Sequence, residues 1–285
     1  GNFISATAST VGSGMINISG VVTTTGTGEL PNVTVASGGK LVLGANTAAY
    51  GDVTLNSAIS GAITDGGFNL SVYGAFNRID NTPGNYTATG TLTFASATAQ
   101  TFTPGASLVL NNLTVNKASS SVVTLTASVE VAGNLTITAG SLDVGNFYLN
   151  LSGASTFNNS GNSYSTTGVG YVVFKGASGT VTGTGTFGNI LVQLSNAANS
   201  VVTGSNIAFN GTLYLYDVQL NVANGHTVTF ADGSTIKIVT TAANAAGLTK
   251  VTAGGTGTVA YAGTVNLVYE GTSAYDVTAL ALGAN

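Results

Sequence analysis

The sequence predicts an all-β fold: a single parallel β-helix (β-solenoid) of about 13 coils over residues 1–285, at roughly 22 residues per coil. Three observations predict it. Apolar residues alternate singly with Thr, Ser and Asn in short runs, such as Val122–Leu125, Leu135–Ile137, Leu149–Leu151 and Leu213–Leu215. Those runs are bounded by Gly, Asn and Ser, and their wording recurs along the chain. Helix signals are nearly absent; only "TTAANAAGLTK", 240–250, reads as a helical turn or a loop excursion.

In chain order, strand-like wording opens at Asn2-Phe-Ile-Ser and Met15-Ile-Asn-Ile18. A first module, about 10–89, carries Leu30-Pro-Asn-Val-Thr-Val35 and Gly51-Asp-Val-Thr-Leu55. A second, 90–169, repeats them as Leu110-Asn-Asn-Leu-Thr-Val115 and Gly133-Asn-Leu-Thr-Ile137, and opens on Gly90-Thr-Leu-Thr-Phe94. A third, 170–256, answers with Gly170-Tyr-Val-Val-Phe174, Phe187-Gly-Asn-Ile-Leu-Val192 and Gly211-Thr-Leu-Tyr-Leu215. Gly257-Thr-Val-Ala-Tyr261 begins a partial C-terminal module, 257–285.

A finer grain lies inside the modules. Similar strand centres fall at Leu92, Leu113, Leu135, Phe157, Val172, Ile190, Leu213, Ile236 and Val259, mostly 21 to 23 positions apart. That is the size of one solenoid coil. A coil cannot bury its apolar side alone, so stacked copies build one core. Leu113 and Val115 then point inward and Asn112 takes a corner, where Asn tolerates left-handed backbone and bonds neighbouring groups. The rival reading is three tandem β-sandwich domains of about 80 residues each. It calls for linkers between modules, and the coil-sized step runs through the junctions without one.

Composition excludes several function classes. Charged residues are 6%, against roughly 25% in ordinary soluble proteins. No window holds the ~18 apolar residues of a spanning helix, and no paired aromatic girdles mark a membrane barrel; no membrane span is expected. The six basic residues, Lys40, Arg78, Lys117, Lys175, Lys237 and Lys250, are spread out, so nucleic acid is not an expected partner. With no Cys there is no disulfide or thiol chemistry. The chain starts at Gly1 with no charged n-region or apolar h-region, which reads as a secreted chain whose export signal is removed.

Candidate chemistry is sparse. His226 is the only histidine and sits at a likely corner in "ANGHTVTF". The acids Asp52, Asp65, Asp80, Asp143, Asp217 and Asp232 are scattered rather than clustered as a glycan-cleaving site needs. Asp65-Gly and Asp232-Gly read as turns, with calcium at such corners the other possibility, although no acidic nonapeptide repeats. Asp80 and Arg78 read as a salt bridge on a loop. The expectation is therefore no enzyme, no catalytic or metal residue, and no cofactor. Nine N-x-S/T sequons stand at Asn17, Asn32, Asn69, Asn85, Asn112, Asn134, Asn150, Asn158 and Asn210 as possible glycosylation sites. Late tyrosines, Tyr214, Tyr216, Tyr261, Tyr269 and Tyr275, read as an aromatic row or as strand packing.

The wording "NNLTV … GNLTI … GSLDVGNFYLNLSG" resembles the parallel β-helix repeats of large bacterial surface adhesins and autotransporter-like passenger regions, closely over 85–235 and loosely over 1–84. The resemblance implies a β-helix at the cell surface, and an adhesin stalk or carbohydrate-binding module with surface glycans as partners.

The two ends of such a stack are the remaining candidate sites. A solenoid exposes open strand edges there, and monomeric solenoids cover them with polar caps. Here repeat-like wording runs to both ends. Candidate interface residues are Phe3, Ile4, Ile16 and Ile18 at one end, and Val265, Leu267, Tyr269, Tyr275, Val277, Leu280 and Leu282 at the other. The expected function is an extracellular structural subunit of a surface filament. Its partners are copies of itself, joined head to tail through β edges or by strand addition.

Overall fold

A computed structural model describes residues 2–3, 14–26, 29–118, 120–164, 166–195, 200–240, 251–253 and 256–271. None of these residues is helical, and strand pairing is parallel throughout. The fold is a parallel β-solenoid, not tandem sandwiches, whose sheets are antiparallel. It divides into two compact units, Gly1–Asp143 and Val144–Asn285.

In the first unit each coil contributes one short strand to each of three faces. One face runs from Met15–Ile18 through Asn32–Val35 and Phe76–Arg78 to Ser141–Asp143. A second runs from Glu29–Leu30 through Asn69–Val72 and Asn112–Asn116 to Leu135–Ala139. The third starts with Asn2–Phe3 and ends its sheet at Tyr86–Thr87; the next strands there, Val109–Leu110 and Val129–Val131, belong to a different sheet. The second unit repeats the plan, with faces ending in Val251–Ala253, Thr258–Tyr261 and Asn266–Gly271.

The coils number about ten rather than thirteen. Coil length is uneven. Val172 pairs with Ile190, 18 positions on, whereas Leu220 pairs with Val251, 31 positions on, across the 241–250 segment that lies outside the described residues.

Alternation decides what each strand buries. Leu70, Leu92, Leu113 and Leu135 stand in register on adjacent coils and are all but fully buried. Their outward neighbours Ser71, Thr93, Thr114 and Thr136 form a half-exposed column beside them. In the second unit Val172, Ile190, Leu213 and Ile236 form the same kind of ladder. Each buried aliphatic side chain contributes about 1.5–3 kcal/mol.

Corners explain the repeated Gly-Asn, Gly-Asp and Gly-Thr wording. The Asn112 Oδ1 accepts the Asn134 N–H of the next coil at 2.9 Å, and Asn189 Oδ1 accepts Thr212 N–H at 2.9 Å. Asn32 and Asp52 do the same for Asp52 and Ala75, at 2.8 and 2.7 Å. The residue before each of these donating amides is glycine because the accepting side chain fills its space. A Cβ on Gly133 would lie 2.5 Å from Asn112 Oδ1.

Copies about 80 residues apart occupy different faces. Asn32–Val35 lies on the face that starts with Met15–Ile18, but its copy Asn112–Asn116 lies on the face that starts with Glu29–Leu30. Val53–Leu55 and Leu135–Ala139 are separated in the same way. The wording marks a corner and its following strand, and the chain uses it on more than one face.

Candidate interaction surfaces

Burial fades toward the last described coil while register is kept. Thr258–Tyr261 pairs with Thr227–Phe230, placing Val259 on Val228 and Tyr261 on Phe230. The inward rings of Phe209, Phe230 and Tyr261 stack at 5.3 and 5.8 Å with interplanar angles of 14° and 17°. Phe209 and Phe230 are fully buried; Tyr261 is half-exposed. Leu267 and Tyr269 likewise stand half-exposed on buried Ile236 and Ile238, and Val265 is half-exposed beside them.

At the other end, Met15–Ile18 is the outermost strand of its sheet and pairs with Asn32–Val35. Ile18 is buried, Ile16 is half-exposed, and Met15 and Val21 are 67% and 56% exposed. Phe3 pairs through its backbone with Thr24. Ile4, Tyr275, Val277, Leu280 and Leu282 lie outside the described residues.

The interior holds polar groups that composition hides. Arg78 shares inward parity with Phe76 and is buried where the third face changes sheet. Its Nε donates to Asn85 Oδ1 at 2.7 Å, Nη2 to Thr82 O at 2.7 Å, and Nη1 to the carbonyls of Pro104 and Ala106. Asn85 passes the network on to Ser57 O and Asp80 O. Arg78 thus stitches two loops through backbone carbonyls. Asp80 instead accepts from Thr82, which holds its carboxyl below the usual carboxylate range. The sequence reads Arg78 as the partner of Asp80 in a salt bridge on a loop; the structure instead buries it among backbone carbonyls, and its shared parity with Phe76 was the available signal.

Lys117 is also buried. Its Nζ donates to Thr98 O at 2.5 Å and Gln100 Oε1 at 2.6 Å, and burial lowers its pKa to about 8. Gln100 in turn donates to Val72 O and Gly74 O.

The other sequence candidates take structural positions. His226 Nδ1 lies 3.1 Å from Thr203 O at a corner. Asp65 Oδ1 accepts from the amides of Gly67, Thr89 and Gly90, and Asp232 accepts from Thr264 N–H. Among the described residues no three His, Cys, Asp or Glu side chains gather as a metal site. Nor is any helix there long and apolar enough to cross a membrane. Of the sequons, Asn17, Asn69, Asn134 and Asn210 are exposed; Asn32, Asn112, Asn150 and Asn158 are intermediate; Asn85 is buried.

The late tyrosines divide. Tyr261 and Tyr269 belong to the fading core, whereas Tyr214 and Tyr216 sit on an outer face with Tyr171 and Tyr148. Lys237 Nζ lies 4.9 Å over the Tyr214 ring and pairs with Glu270 at 2.9 Å. Tyr275 lies outside the described residues.

Comparison with protein-family models, with curated proteins and with solved structures finds no match.

Proposed function

We propose that the chain is a structural subunit of an extracellular, cell-surface filament whose copies join end to end. The observation that supports this is the core's behaviour at its last described coil. The ladders through Phe230, Ile236 and Ile238 continue in register to Tyr261, Leu267 and Tyr269, yet these final members stay half-exposed. A second copy laid on them would bury apolar surface worth about 25 cal/mol per Å² and pair the backbone groups of the outermost strands. With 6% charged residues, little repulsion opposes contact between copies. A heterologous contact of this kind, if it does not close, propagates as a filament. Strand addition by a terminal segment of one copy to the Met15–Ile18 edge of the next is the second route to the same polymer.

Leu267→Lys with Tyr261→Lys tests the contact. Sedimentation of the double variant is expected to show monomers with an unchanged β-sheet circular dichroism spectrum. Polymer that persists in the folded variant would overturn the stacked contact and point to strand addition at the Met15–Ile18 edge.

A further inference from the structure

We infer that a groove beside Tyr73 binds a neutral pyranose ring of a glycan, on the side of the solenoid and independently of end-to-end assembly. Ala49, Val72, Phe94 and Val115 stand in register on four successive coils. The next residue on each coil points outward, so Tyr50, Tyr73, Ala95 and Asn116 form a column along the surface. The first two rings stack face to face, 4.4 Å apart at 7°, close to the strand spacing of about 4.8 Å. They are therefore plates set across the coil axis.

At the third position the plate is missing. Ala95 supplies only a methyl group, and beyond Tyr73 opens a groove of about 440 Å³ lined by Tyr73, Ala95, Ser96, Ala97, Asn116 and Ala118. On the far side, register shifts between Val115 and Asn116, a bulge of the kind that re-aims side chains. Lys117, next along, turns its amine into Thr98 O and Gln100 Oε1 rather than toward the groove.

These features describe the occupant. It is plate-shaped and about one coil thick, because it continues the Tyr50–Tyr73 stack. It is uncharged, because no lining side chain is charged. One flat side carries C–H groups, which favour the negative face of an aromatic ring. Its rim carries hydroxyls, which suit the Asn116 carboxamide as donor and acceptor; the Ser96 hydroxyl is held by Thr98, whose amide it accepts at 3.2 Å. A pyranose meets all four conditions.

The test titrates the full chain with glucose, galactose, N-acetylglucosamine and their short neutral oligomers, read by saturation-transfer NMR and calorimetry. At least one of these is expected to bind, with saturation transfer to its ring C–H protons. Tyr73→Ala is expected to weaken that binding at least tenfold. Ala95→Tyr, which supplies the missing plate on an outward position, is expected to abolish binding while leaving the circular dichroism spectrum and melting temperature intact. No binding by any of these sugars, binding unchanged in folded Ala95→Tyr, or binding of free indole with no sugar bound would each overturn the inference.

Discussion

Gly133 has no room for a side chain because Asn112 of the preceding coil already fills it, with Oδ1 2.5 Å and Asn111 O 2.6 Å from where a Cβ would stand. Gly133→Ala is therefore expected to lose about 1–3 kcal/mol, the usual cost of overpacking, in urea denaturation. Gly20 has open space around it, and Gly20→Ala should stay within about 0.5 kcal/mol of the parent. The recurring Gly and Asn were legible in the sequence; their contact was not, because it joins residues some twenty apart whose register only stacking defines. Lys117 offers a second residue-scale test. Its pKa falls to about 8 in the fold from the ordinary 10.5, so the unfolded chain holds this proton more tightly. The resulting penalty is fully present below pH 8 and fades between about pH 8 and 10.5, where this group makes stability rise with pH. Lys117→Met should remove that rise from a pH series of melting temperatures. Arg78 was legible as interior only through its parity with Phe76, and charge, which normally marks the surface, argued against both it and Lys117; their partners include backbone carbonyls from other coils.

Strands and coils follow from alternation, which is why the ladders were readable. Leu92, Leu113 and Leu135 share one face in register, as the 21- and 22-residue steps implied. The series then changed face, and the short 15-residue step was its sign in the sequence. Phe157 lies in Ser155–Asn159, whereas Val172 lies in Tyr171–Phe174 of another sheet; the 15-residue step between them is a walk around one coil. The last step, Ile236 to Val259, also changes sheet, because Ile236 pairs with Leu267 and Val259 with Val228. A coil with three similar strands gives each face nearly the same alternating wording, so period alone does not assign a face. Energetically the inward positions carry the element. Leu113→Ala is expected to cost 2–5 kcal/mol, the range for buried Leu with its cavity. Thr114→Ala, outward and half-exposed, should cost less than about 1 kcal/mol. Thermal denaturation of the pair checks the contrast.

At the scale of the whole molecule, parallel stacking has a consequence that antiparallel domains avoid. Each interior strand satisfies its neighbours on both sides, so the unpaired backbone and the uncovered core collect at the terminal coils. All-β character and coiling were legible because composition, turn residues and repeat length point the same way. The coil count was less so, since coil lengths from 17 to 31 residues defeat division by an average. The proposed filament depends on the last coils acting as a template for another copy. The most direct test is electron microscopy of the purified full chain over a concentration series. Filaments that lengthen with concentration, with the strand repeat of about 4.8 Å along their axis, are the predicted result; dispersed monomers at the highest concentration, with both ends intact, would contradict it.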